Sequence, residues 1–440
     1  MKNIKKVLFF LPFLLLASCN FKYTYVIAGE PTTGGGGDAG EEDDGIDDAG
    51  SYDIKVWVDD KIVDLTRTQI QMFAADSGGK YTINARVEPV SEGTAASSML
   101  QDVESGADVF IFAQDQLSRL KVAGAVSKIT GNYASFIKKN NSEDSVKAAS
   151  IDGKGETVYA FPITSDNGYF LYYDKRIIPD ADANDMSKIL ADCKSAGKKL
   201  NFEARSNGFY AASYFLAKEK QEDEPICHST WTFDELSARF TAYDDNFAAK
   251  GLFAAKGLKE LDNTSLVATN ALASKLGDSA AAVVSGIWEY EVAYNRLKEN
   301  LGCAELPYFQ ADGKSYHLGS FDGYKLMGVK PQMDTKKASV CRKLARYLTG
   351  EACQTQRFKE VSWGPTNSKS SQREEIAGHP GLAALNKQHL YATQQGQCPG
   401  AWFVALSTAA KAIKNNSSDA ELQKVLDTYN VGLDELLDED

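Results

Sequence analysis

From Tyr52 onward the apolar positions switch repeatedly between a period of two and a period of three to four. YDIKVWV alternates as a strand, and residues 65–75 put Leu65, Ile70 and Phe73 on one helical face. KYTINARV predicts a second strand, and TAASSMLQDVESG a helix stopped at Gly106. ADVFIF is almost continuously apolar, the pattern of a strand covered on both faces of a parallel sheet. QDQLSRLKVAG then predicts a helix closed by Gly124. Strands alternating with helices predict an α/β layer architecture with right-handed crossovers.

A second pattern of the same kind starts at ETVYAFPITSDNGYFLYYDKRIIP, where Pro162 lies between two strand-like runs and suits a chain leaving one lobe for another. Helices are predicted over 183–196, 206–219, 232–249 and 265–276. AAAVVSGIWEYEVAYNRLKEN reads as a buried strand, a glycine turn and a helix, and LGSFDGYKLMGV precedes helices over 336–348 and 350–361. Further helices follow to the C-terminus. No repeat of solenoid period is present in the sequence.

Ahead of this body, Lys2, Lys5 and Lys6 precede an apolar run over residues 7–17. A membrane-crossing helix needs about 20 apolar residues, so the run reads as a secretory signal. Its Leu16-Ala17-Ser18-Cys19 ending resembles the bacterial lipobox, which implies a signal peptide over 1–18 and a lipid on Cys19. An ordinary signal peptide with an incidental cysteine is the alternative. PTTGGGGDAGEEDDGIDDAG has four consecutive glycines and no aromatic residue, and predicts a flexible, self-repelling spacer within 19–51. DDGIDD lacks the spacing and closing Glu of a calcium-binding EF-hand loop.

The 440 residues suffice for two domains with their own cores, and the net charge of -12 disfavours phosphate-backbone or anionic-lipid binding. Nucleic acid is therefore excluded as an expected partner. Beyond Cys19 stand Cys193, Cys227, Cys303, Cys341, Cys353 and Cys398, an even count that permits disulfides in an exported chain. Cys341 and Cys353 are an expected pair, because a helix-turn-helix can bring them together; the other pairings stay open. No CxxC or HExxH spacing occurs, so no metal or other cofactor is expected.

Five stretches stand in an order that resembles the maltose-binding-protein-like solute receptors, over nearly all of residues 54–437. ADVFIFAQDQLSRLKVAGAVSKIT resembles the family segment in which a strand precedes an aromatic and a helix. VYAFPITSDNGYFLYYDK resembles its crossing between lobes, and AAAVVSGIWEYE its strand before a sugar-stacking tryptophan. ELPYFQADGKSYHLGSFDGYKLMGV is similar to the return crossing, and CPGAWFVALSTAAKAI to the C-terminal ligand-contacting helix. The resemblance implies the α/β periplasmic-binding-protein type II fold. Its lobes would comprise residues 52–164 with 322–368, and 165–321 with 369–440. It also implies capture of a maltodextrin-like oligosaccharide for an ABC-transporter permease by a tethered monomer with no enzymatic activity.

On the matched motifs the resemblance implies ligand contacts at Asp60, Lys61, Phe112, Asp115, Gln116, Asp166, Trp288 and Trp402. The family's EPYF appears here as SNGF, with Phe209 and Tyr210 supplying rings, and Leu406 replaces an arginine one turn after the C-terminal tryptophan. These departures bear on which sugar is preferred. The residue types suit sugar capture, because carboxylates accept charge-assisted bonds from hydroxyls and aromatic rings cover the C–H face of a sugar. Bland alternatives are a helix cap for Asp60, a turn for Asp166 and a core role for either tryptophan. Trp57, Trp231 and Trp363 read as structural. Two other functions fit the composition: a tethered glycosidase using two of the carboxylates, and a surface carbohydrate-binding lipoprotein without a transporter.

Overall fold

Gly50–Val58 and Tyr81–Pro89 pair in parallel, from Gly50 opposite Tyr81 to Val58 opposite Pro89, in the computed structural model. Residues 46–151, 153–219, 228–234, 239–245, 247–261, 272–396, 398 and 400–439 are described. Cys19, Cys227 and the spacer up to residue 45 lie outside them, and so does the side chain of Trp231.

The first sheet has five strands in the order Tyr81–Pro89, Gly50–Val58, Val109–Ala113, Lys325–Val329, Phe161–Thr164. Val109–Ala113 is buried at every position, as its apolar run predicts for a central strand. Lys325–Val329 returns from far along the chain to pair antiparallel with it. A second sheet orders Leu301–Ala304, Phe170–Asp174, Ala280–Ser285 and Lys199–Asn201. Each sheet has its own apolar core. Ile54, Val56, Phe110, Phe161, Leu326 and Leu344 belong to one, and Phe170, Leu200, Phe202, Tyr214, Val283 and Leu406 to the other. This is the α/β architecture expected of the sequence. Trp57 is a core residue whose Nε1 donates to Glu88 Oε2 at 2.8 Å.

The chain passes between the sheets three times, and the passages are tied together. Ser165 N donates to Gly364 O at 3.0 Å, Asn167 N to Gly323 O at 3.2 Å, and Gly364 N to Asp166 Oδ2 at 2.8 Å.

Three local expectations are corrected. The helix Ala95–Gln101 ends before Gly106, whose missing side chain leaves room for Met99: a Cβ there would lie 2.3 Å from its sulfur. Residues 232–249 are not one helix. His228–Asp234 and Arg239–Asp245 form an antiparallel hairpin before the helix Phe247–Lys259, in keeping with the threonine and aromatic content of STWTF and RFTAY. Finally, Cys193, Cys303, Cys341 and Cys353 are free thiols, so the Cys341–Cys353 bridge is absent. Cys341 points into the first core from the apolar face of Thr335–Leu348, whereas Cys353 lies on the next helix, where its carbonyl accepts from Gln69 Nε2 at 3.2 Å. Burial pushes these two thiols up to about 12 and about 11, far from the reactive thiolate form.

Candidate functional site

The parallel strands of both sheets point their carboxyl ends at one cleft of about 790 Å³, the location open α/β sheets offer to ligands. Gly50–Val58 leads into Asp59, Asp60 and Lys61, Tyr81–Pro89 into Ser91, Glu92 and Gly93, and Val109–Ala113 into Asp115 and Gln116. Opposite stand Glu203, Asn207, Phe209, Tyr210, Ser285, Trp288 and Phe403. Asn167, Lys325, Trp363 and Gln395 complete the lining from the passages between sheets and the C-terminal segment.

Asp60, Lys61, Asp115, Gln116, Phe209, Tyr210 and Trp288 thus line the cleft, whereas Phe112, Asp166 and Trp402 do not. Phe112 is fully buried beside Phe110, centroids 5.5 Å apart, because its strand is covered on both faces. Asp166 is fully buried under the cleft, where it accepts from Gly364 N and braces two passages. Trp402 belongs to the second core, edge-on to Phe321 at 6.0 Å and Phe403 at 5.4 Å. Its helix, Gly400–Ala412, buries residues 402, 405, 406 and 409, one stripe at helical spacing. Phe403, about 100° further round, is the ring that reaches the cleft. The same stripe carries Leu406 into the core, out of the cleft lining. Gly208 lets this helix approach: a Cβ there would lie 2.0 Å from the Phe403 carbonyl oxygen.

Several lining residues also serve the scaffold. Asp59 caps the short turn Asp60–Ile62, accepting from Lys61 N at 3.0 Å. The amide of Gln116 is committed to the loop beside it, accepting from Ala96 N at 3.0 Å and donating to Glu92 O and Gly93 O at 3.0 and 2.9 Å. Lys61 Nζ donates to Trp288 O at 3.0 Å, and Ser362 Oγ to Glu291 Oε1 at 3.0 Å, joining the two halves of the molecule. The half-buried Trp288 ring lies over Gly286, where a Cβ would come within 2.1 Å of it.

Charge in the cleft is organised around Lys325. Its ammonium, 3.2 Å from Glu92 Oε1 and 3.8 Å from the centroid of the Trp363 ring, is buried. Burial disfavours its charge, but Glu92, Asp166 and Asp59 outweigh that and raise its pKa. Burial likewise works against the Glu92 carboxylate, and Lys325 holds it below the usual range. Burial pushes Asp115 up to about 6, against the opposing pull of a backbone N–H and Arg119. Three lining residues keep a buried polar atom with no protein hydrogen-bond partner: Glu92 Oε2, Asp115 Oδ1 and Trp363 Nε1. Leaving such an atom unpaired costs about 1–3 kcal/mol, so the cleft is built for a polar guest. Two acceptors and a donor beside flat rings match a polyhydroxylated molecule with apolar faces. Among the described residues no group of His, Cys, Asp and Glu has the arrangement of a metal site.

Glu92, Asp59, Lys325 and Phe403 were not singled out from sequence, and Trp363 was read there as structural. Glu92 had a usable signal, since it follows a predicted strand as Asp60 and Asp115 do. Lys325 and Trp363 had none, because they enter through the crossing segments.

The family of bacterial extracellular solute-binding proteins matches residues 68–384, well over half of the chain. This chain belongs to that family. No curated protein matches it in sequence. A structure solved with acarbose is 25% identical with a TM-score of 0.73, covering 88% of this chain and 99% of its own. The maltodextrin-binding protein of L. casei BL23, solved without ligand, is 18% identical with a TM-score of 0.71, over 87% of this chain and 99% of its own. A cyclo/maltodextrin-binding protein complexed with maltotetraose is 18% identical with a TM-score of 0.64, over 87% and 96%. The solute-binding protein described here therefore has the type II periplasmic-binding-protein fold. Among its described residues no helix is long and apolar enough to cross a membrane.

Proposed function

We propose that this solute-binding protein captures a maltodextrin-like oligosaccharide outside the cell membrane and delivers it to an ABC-transporter permease. The observation that carries the reading is the cleft itself. Glu92 Oε2, Asp115 Oδ1 and Trp363 Nε1 await hydrogen-bond partners beside the rings of Phe209, Tyr210, Trp288 and Phe403. Hydroxyls would meet Asp60, Lys61, Asp115 and Glu92, while the rings cover C–H faces. The acarbose and maltotetraose complexes of similar structures support the ligand class. Residues 52–164 with 322–368, and 165–321 with 369–440, would be the lobes that close on it. Cys19 would carry the lipid that keeps the receptor at the membrane, through the spacer that follows.

A glycosidase would need a carboxyl poised to donate a proton, and Asp115, pushed up to about 6, invites this second reading, as does Asp59, which burial also pushes up. One experiment addresses both. The protein is screened by thermal shift against maltose, maltotriose, maltotetraose and acarbose, and each sugar is then recovered and analysed. A ligand bound by the native state alone raises the melting temperature. Receptor function predicts a rise with at least one sugar and recovery of that sugar intact; no shift across the panel, or release of shorter sugars, contradicts it.

A further inference from the structure

We infer that Trp363 is a specificity-determining ligand contact, donating its indole N–H to one oxygen of the bound sugar while Glu92 accepts from a neighbouring hydroxyl. The inference rests on the sugar-receptor reading above and adds Trp363, which the sequence had placed in the scaffold, and Glu92, which it had passed over.

Trp363 is 2% exposed yet lines the cleft, and its Nε1 meets no protein acceptor. Buried indole N–H groups normally find a partner, as Trp57 does with Glu88. The ring is held from one side by the Lys325 ammonium at 3.8 Å, a cation–π contact that fixes its plane. The same ammonium holds Glu92 through Oε1, which leaves Oε2 of that carboxylate without a protein partner. One buried cation therefore orients both an unused donor and an unused acceptor. A hydroxylated ring can satisfy both atoms, since hydroxyl oxygens accept as well as donate. Trp363 also adjoins Gly364, whose N–H is bound by Asp166, so the donor stands on a braced passage rather than a mobile loop.

The test is a cycle between protein and ligand. Trp363→Phe keeps a flat ring under Lys325 and removes only the N–H. Maltotetraose and a set of its singly deoxygenated analogues are titrated calorimetrically into parent and variant, and unliganded melting is measured for each. We expect the variant to bind maltotetraose about five- to tenfold more weakly, the usual worth of one hydrogen bond. One deoxy position should weaken the parent by a similar factor and leave the variant unaffected. A purely structural Trp363 would not produce that coupling. Equal affinity in parent and variant, or identical deoxy penalties in both, overturns the inference while leaving the sugar receptor intact. Failure of the parent to bind maltotetraose or any analogue overturns the receptor reading, and the inference with it.

Discussion

Trp402 and Trp288 look alike in sequence, each beginning a helix beside a strand or cleft, but the structure assigns them opposite consequences on mutation. Trp402 is fully buried, with Phe321 and Phe403 packed edge-on at 6.0 and 5.4 Å. Trp402→Ala deletes a core ring, a change that costs about 3–5 kcal/mol. At roughly 2–3 °C per kcal/mol for a large domain, the unliganded protein should melt about 6–15 °C earlier. Trp288 is half-buried on the cleft wall over Gly286. Its removal should spare unliganded melting but weaken sugar binding by about 2 kcal/mol or more, some thirtyfold. Scanning fluorimetry without ligand and titration calorimetry with maltotetraose, run on both variants, separate the two outcomes. Near-parental melting of Trp402→Ala with strongly weakened binding would refute the core placement of that ring and the helix face derived from it.

Leu406→Arg places a charge in the second core, so it should lower melting sharply and yield little folded protein; normal melting with an altered sugar ranking would return position 406 to the site. Asp115→Asn should weaken sugar binding about tenfold and yet raise stability at neutral pH. The raised Asp115 pKa means that the native state holds its proton more tightly, so the parent loses stability as pH rises from about 4 through about 6, and the variant does not. Melting curves that differ equally at pH 3.5 and pH 7 would contradict that assignment. Thiol titration of the denatured, unreduced protein should detect Cys193, Cys303, Cys341 and Cys353 as free, while the native protein reacts slowly; finding these four only after reduction would restore the disulfides expected of an exported chain.

The elements that set the architecture were legible because their patterns are one-sided. Val109–Ala113 is an uninterrupted apolar run and Ala280–Ser285 is one up to its closing serine, and both are buried throughout. The acids Asp60 and Asp115 were legible through the family resemblance, and they meet at one cleft because the parallel topology gathers the strand ends there. The face of Gly400–Ala412 was not, since GAWFVALSTAAKA has apolar residues nearly all round and no polar side to orient it. A family likeness at Trp402 pointed one residue away from Phe403, the ring that reaches the cleft. The pairing of His228–Asp234 with Arg239–Asp245 was missed because the sequence ELSA between them suits a helix, whereas the flanking threonines and aromatics favour strands. Lys325 and Trp363 act through contacts between segments distant in sequence, and no local pattern encodes that.

A crystal structure of the protein grown with maltotetraose tests the central claim most directly. The account predicts a sugar between the two sheets, with rings against Trp288 and Phe403 and hydroxyls within hydrogen-bond distance of Glu92 Oε2, Asp115 Oδ1 and Trp363 Nε1. A sugar bound elsewhere, or a cleft holding only solvent at saturating maltotetraose with those three atoms paired within the protein, would contradict it.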